Sequence, residues 1–159
     1  MTLTFLPITP DDVERLMPIE NACHSHPWSK QVFASCIGGR YFGYYLLKGN
    51  HRGGPENNDQ APQILGFYIG DYIAGESTLM DICVHPDQQG QGFGKQLLQH
   101  FTNEAKNLGA EKALLEVRAR NIGAQMLYIN DGFNEIGRRT GYYPSTTGYE
   151  DAIVMARTL

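Results

Sequence analysis

The sequence predicts an α/β domain on one mixed sheet, with about six or seven strands flanked by about four helices. Strand-like and helix-like segments alternate from end to end, with no internal repeat. A chain of 159 residues suits one sizeable core, so residues 1–159 are expected to form one domain. Between Leu79 and Leu108, an apolar strand, a glycine loop and an amphipathic helix follow one another.

Leu3 to Ile8 reads as an opening strand. Thr9 then offers an N-cap, Pro10 the first helical position and Asp12 a first-turn carboxylate. Val13, Leu16 and Met17 supply the apolar stripe of this helix, which Pro18 is expected to kink or end. A short second helix starts at Ser29, after the extended His26-Pro27-Trp28 segment. Strands are expected over Arg40 to Lys48, Gln63 to Tyr72 and Glu76 to Val84. Between the first two, residues 49–62 are polar and rich in Gly, Pro and Asn, which predicts a flexible loop insertion without chemistry. After the glycine loop, Leu97, Leu98, Phe101, Ala105 and Leu108 fall on one helix face, and Gly109 stops the helix. Lys112 to Arg118 alternates as a strand, with Leu114, Glu116 and Arg118 on one side and Ala113, Leu115 and Val117 on the other. Asn121 caps a further helix that Gly132 ends, and strands near Phe133 to Arg139 and Tyr149 to Arg157 close the chain.

Hydrophobic content of 42% and charged content of 19% are those of a folded protein. No apolar run has the length of a membrane span, and no basic-then-apolar leader opens the chain. Cys23, Cys36 and Cys83 are odd in number and form no CxxC pair, so free thiols in the cytoplasm are expected. A net charge of −4 argues against nonspecific nucleic-acid binding and suits a cationic substrate. A monomer is expected, with no membrane partner.

The loop reads Gln89-Gly90-Gln91-Gly92-Phe93-Gly94-Lys95. Glycines bring backbone N–H groups close to a ligand, and the following helix adds unpaired N–H groups and its positive dipole end. This is an anion site for a phosphate or pyrophosphate. A P-loop is excluded, because Gln96 follows Gly94-Lys95 and Gln89 stands where its first glycine belongs. The dinucleotide fingerprint is excluded by Lys95 in place of its third glycine. What remains, Gln89-x-x-Gly92-x-Gly94 between strand and helix, resembles the acetyl-CoA pyrophosphate loop of the GNAT acetyltransferase superfamily.

Acetyl transfer from a thioester to an amine needs a base, an oxyanion donor and a proton for the leaving thiolate. Glu116 lies in the otherwise apolar Ala113-Leu114-Leu115-Glu116-Val117 strand, where partial desolvation would make it a better proton acceptor. The residues alone leave two readings: a base, or a partner of Arg118 or Arg120 at the sheet edge. Tyr128, seven residues after Asn121 and on the same helix face, is the candidate acid. Periodicity alone favours core packing with Ala124 and Leu127. Cys83 reads as a buried thiol without a histidine partner, and His24 with His26 makes a poor metal site for want of further ligands. His51, His85 and His100 read as loop or surface residues, and no metal is expected. Tyr142-Tyr143-Pro144 reads as an aromatic loop, either packing or a lid over a peptide.

Nearly the whole chain resembles the RimI group of that superfamily, which acetylates the N-terminal alanine of the eighteenth small-subunit ribosomal protein. The resemblance rests on Ile19-Glu20, Pro27-Trp28-Ser29, Ile82-Cys83-Val84 before Pro86-Asp87, and the glycine loop. It continues through Leu115-Glu116-Val117-Arg118, Asn121, Leu127-Tyr128, Gly132-Phe133, Tyr142-Tyr143-Pro144 and Glu150-Asp151-Ala152-Ile153-x-Met155. It implies a GNAT fold and direct transfer from acetyl-CoA, without an acyl-enzyme. It further implies that Ile82, Cys83 and Val84 pair by backbone with the acetyl-pantetheine arm, and that Gln89 and Gly90 to Lys95 hold the pyrophosphate. Asn121 would bind the CoA arm, with Glu116 as general base and Tyr128 as general acid. Three features depart from the RimI pattern: the 49–62 insertion, Pro18, and an added Gly141 before Tyr142-Tyr143. Two other readings stay open: a small-amine acetyltransferase of the same fold, and an acetyl-CoA-binding regulator without catalysis.

Overall fold

The structure is a computed structural model and describes residues 2–49 and 62–159, so most of the predicted 49–62 loop and His51 lie outside the described residues. In chain order it contains β1 (Leu3–Pro7), a 3₁₀ turn (Pro10–Asp12), α1 (Val13–Cys23), α2 (Lys30–Ser35), β2 (Tyr41–Lys48) and β3 (Gln63–Ile73). There follow β4 (Glu76–Val84), a second 3₁₀ turn (Pro86–Gln88), α3 (Phe93–Leu108), β5 (Lys112–Arg118), α4 (Ile122–Asn130), β6 (Asn134–Ser145) and β7 (Gly148–Thr158). This is the mixed, helix-flanked sheet expected from the sequence. No helix among the described residues is long and apolar enough to cross a membrane.

Seven strands form one sheet in the order β1-β2-β3-β4-β5-β7-β6. Every pairing is antiparallel except β4 with β5, which α3 connects as a crossover. One core layer packs α3 against the sheet through Leu97, Leu98, Phe101, Leu115, Val117 and Met155. The layer on the opposite face packs α1 and α2 through Val13, Leu16, Ile19, Phe33, Phe67 and Cys83. Burial on two faces explains why β3 carries an almost unbroken buried run from Leu65 to Asp71.

Thr9 caps the 3₁₀ turn ahead of α1, whose own N-cap is Asp12, while Ser29 and Asn121 cap α2 and α4 as expected. The Thr9 backbone N–H donates to Asp12 Oδ2 at 2.8 Å, and Ser29 Oγ accepts from the Val32 N–H at 3.1 Å. Gly109, at φ +101°, closes α3. Four expectations need correction. Pro18 does not end α1, which runs on to Cys23 because Ile19 and Glu20 beyond it are buried. Leu108 is 47% exposed; Phe93 and Thr102 complete the buried stripe instead. His100 is half-buried rather than a free surface residue. It stacks on Phe5 with ring centroids 3.9 Å apart and bonds the Tyr68 hydroxyl at 2.7 Å. Tyr142-Tyr143-Pro144 is strand, since β6 and β7 pair on to Ser145 and Gly148. The added Gly141 is absorbed by a bulge between Arg139 and Tyr143, where its N–H donates to Asp151 Oδ1 at 2.9 Å.

Candidate active site

A cleft is built where the parallel ladder stops. β4 and β5 pair only from Glu76 with Lys112 to Leu79 with Leu115. Opposite β3, Ile69 faces Asp81 and Gly70 faces Leu79, so Met80 is an extra, bulged residue. A bulge bends a strand and interrupts its alternation. Leu79 therefore packs toward α3, whereas Cys83 packs toward α1. Past the bulge a cavity of about 890 Å³ lies between the two strand ends.

The glycine loop forms one end of this cavity. Ile82, Cys83, Val84, Gln89, Gly90, Gly92, Phe93, Gly94 and Lys95 all line it. Gln91 does not; its side-chain amide donates to Gln88 Oε1 at 3.2 Å. Gly92 caps α3 at φ +85°, a left-handed conformation that would strain any residue with a Cβ. The Gln96 N–H returns to the Gly92 carbonyl at 3.3 Å, so the N–H groups of the turn before it are left to a ligand. Asn121 also lines the cavity, while its side chain accepts from the Ala124 N–H at 3.2 Å as the α4 cap.

Glu116 and Tyr128 line the middle of the same cavity. Glu116 Oε1 accepts from Arg139 Nε of β6 at 2.7 Å. Its ion partner is therefore neither Arg118 nor Arg120, because the bulged β6 brings Arg139 across the β5 face. Arg118 instead donates to Glu150 at 2.9 Å and to the Pro144 carbonyl at 2.8 Å, and its guanidinium lies 4.5 Å from the Tyr143 ring centroid. These contacts fix the Tyr143-Pro144 wall of the cleft. Tyr128 is 6% exposed and packs edge-on against Phe133. Burial, and next the nearby charge of Asp81, push its hydroxyl well above the ordinary tyrosine value. Such a hydroxyl keeps its proton at neutral pH and can donate it only as negative charge develops beside it.

At the other end, α1 meets β4, and here the sequence reading needs its largest correction. Cys83 has a histidine partner: His24 Nε2 stands 3.1 Å from its Sγ. His24 has further ligand-type neighbours, Asp81 Oδ1 at 2.8 Å and Glu20 Oε1 at 3.6 Å. The other Glu20 oxygen accepts from the Trp28 N–H at 2.9 Å. Burial, and next the Asp81 carboxyl, raise the Glu20 carboxyl to about 8. Burial works against a charged His24, but Asp81 and Glu20 hold it above the usual histidine value. The spacings Glu20/His24 and Asp81/Cys83 each put two ligand-type side chains on one face of their element, which was visible in the sequence. That the two faces meet was not.

The acetyltransferase (GNAT) family model matches residues 13–133. The chain belongs to the GNAT acetyltransferase family. Among GNAT proteins, it is 40% identical over 145 residues to the [ribosomal protein bS18]-alanine N-acetyltransferase of Escherichia coli strain K12, covering 91% of this chain and 90% of that protein. It is likewise 40% identical over 146 residues to the protein of the same name from Haemophilus influenzae, covering 91% of each. The crystal structure of the ribosomal-protein-S18-alanine N-acetyltransferase from Escherichia coli superposes with a TM-score of 0.86 at 38% identity, over 99% of this chain and 94% of that one. The sheet order, the glycine loop and the cleft of this GNAT chain are thus read on a backbone shared with that enzyme.

Proposed function

We propose that the chain transfers the acetyl group of acetyl-CoA directly to the N-terminal α-amine of the bS18-type ribosomal protein, which begins with alanine. The observation that carries this reading is the cleft itself. One cavity is lined by the glycine loop, by Glu116 and Tyr128, and by residues of α1 and the Tyr143-Pro144 wall. The names of the relatives supply the substrate.

In this reading the loop residues Gln89, Gly90, Gly92, Gly94 and Lys95 hold the pyrophosphate, and Asn121 contacts the CoA arm. The β4 edge from Ile82 to Val84, left unpaired on its β5 side, bonds the pantetheine amides. Glu116 takes a proton from the substrate ammonium, directly or through a water. The freed amine attacks the thioester carbonyl carbon, its nitrogen sheds a second proton to solvent, and the carbon–sulfur bond breaks as the amide forms. Tyr128 gives its proton to the departing CoA thiolate and regains one from solvent.

The test uses two peptides with acetyl-CoA: one with a free N-terminal alanine, the other with a blocked N-terminus and an internal lysine. Mass spectrometry locates the added group. Acetylation of the free α-amine alone is expected. Transfer to neither peptide, with acetyl-CoA still bound, would overturn the reading.

A further inference from the structure

The ligand-type atoms at the α1 end of the cleft make a four-point figure. His24 Nε2 lies 2.8 Å from Asp81 Oδ1, 3.1 Å from Cys83 Sγ and 3.6 Å from Glu20 Oε1. Cys83 Sγ lies 3.5 Å from Glu20 Oε1 and 3.6 Å from Asp81 Oδ1. All four atoms are within 4.8 Å of one another. A tetrahedral zinc, with bonds of about 2.0–2.3 Å, sets its ligand atoms about 3.3–3.8 Å apart, so these edges need only small side-chain adjustment.

The figure does not suit a nucleophilic cysteine relay. A nucleophilic cysteine relay would use both imidazole nitrogens, one toward the thiol and one toward the carboxylate. Here Cys83, Asp81 and Glu20 converge on the same nitrogen, Nε2. Asp81 Oδ2 is buried with no hydrogen-bond partner, and Asp81 as a whole is 8% exposed. A buried carboxylate oxygen without a partner is costly, and a cation would relieve it. Glu20 is oriented by the Trp28 N–H on its other oxygen, the kind of support that metal-binding carboxylates have. Cys23, the nearby second thiol, is already committed to the Val84 carbonyl at 3.1 Å.

We propose that Glu20, His24, Asp81 and Cys83 form a zinc-type site that ties the C-terminal end of α1 to β4. One sulfur, one nitrogen and two oxygens suit a borderline-soft dication. On binding, Cys83 gives its thiol proton to solvent, as Glu20 and His24 give up the protons they carry, and the freed sulfur, oxygen and nitrogen bond the metal. Because four protein ligands fill the tetrahedron, the ion is a clamp and does not hold a reacting water.

The test titrates the full-length chain, free of any histidine tag, stripped with chelator and kept reduced, with zinc chloride and separately with cobalt(II) chloride. One zinc per chain is expected with a Kd below about 1 μM. The cobalt form should show a thiolate-to-cobalt band in the near ultraviolet and the strong visible bands of a tetrahedral ion. His24→Ala and Cys83→Ala should each weaken zinc binding about 100-fold or more, whereas His85→Ala should not change it. Asp81→Asn, nearly isosteric, carries the same expectation should the other two variants fail to fold. No zinc bound by the wild-type chain, a six-coordinate cobalt spectrum without the thiolate band, or affinity unchanged in folded ligand variants would each overturn the proposal.

Discussion

Tyr128 and Glu116 reach the cleft with opposite surroundings. Tyr128 is enclosed by α4 and Phe133, while Glu116 lies on the open face of β5 against Arg139. Removing only the phenolic oxygen therefore tests chemistry with little change in packing. Tyr128→Phe should lower kcat on the free-amine peptide about 100-fold or more, the usual worth of a positioned acid, with acetyl-CoA affinity within about twofold. Steady-state kinetics and calorimetric titration of acetyl-CoA check this; an unchanged kcat would remove the acid role. Glu20 makes a prediction about pH. Its carboxyl titrates near 8 in the folded chain against an ordinary value of 4.5, so between these values the folded state holds a proton that the unfolded state releases. Its contribution to stability is complete below about pH 4.5 and is lost as the pH rises through about 8. Glu20→Gln keeps an acceptor for the Trp28 N–H and cannot titrate. The metal-free variant should lose less stability than the wild-type chain between about pH 5 and about pH 8, read from urea midpoints. His24, held high by the same neighbours, contributes with the same sign and remains in the variant.

Two elements are held in place by features that a substitution can isolate. At Gly66 in β3, a Cβ would press on the Cys83 carbonyl oxygen and stand 2.9 Å from Leu97 Cδ1. The close approach of β3, β4 and α3 depends on that missing atom. Gly66→Ala should cost about 1–3 kcal/mol by urea denaturation and weaken acetyl-CoA binding as well, because the displaced strand is the cleft edge. In α1, exposed Pro18 has no N–H for the Glu14 carbonyl, yet the helix continues. An interior proline disfavours an isolated helix by about 3 kcal/mol, so packing of Leu16, Ile19 and Glu20 must outweigh it. Pro18→Ala should then raise stability by about 1–2 kcal/mol, and a loss of stability on urea denaturation would contradict this account. The same element explains why the helix does not end at Pro18. The proline rule speaks of local propensity, and local propensity lost to burial.

The two core layers lie on opposite faces of one seven-stranded sheet, and strands β2, β3 and β4 contribute side chains to both. Loosening either layer strips half the burial from those strands. Unfolding is therefore expected to be one transition. Trp28, the single tryptophan, packs on the α1 face, whereas far-ultraviolet circular dichroism reports the whole sheet and the long α3 helix. Urea midpoints from Trp28 fluorescence and from circular dichroism should coincide. Separate midpoints would mean that the α1 and α2 face opens independently.

Much of this protein was decided by local chemistry. The alternation in Lys112 to Arg118 set which side chains of β5 are buried, because pleat geometry allows only two faces. Thr9, Ser29, Asn121 and Gly109 marked helix ends, because caps depend on side chains and dihedrals a few residues apart. The glycine loop before α3 was legible for the same reason. What the sequence could not decide were the contacts set by bulges and by register between distant strands. Met80 turns Asp81 and Cys83 toward α1, and the bulge at Gly141 accompanies Arg139 onto Glu116. A one-residue slip moves a side chain through the sheet, and no local propensity reports it. Only the assembled sheet brought Glu20 and His24 to Asp81 and Cys83, more than fifty residues away in the chain.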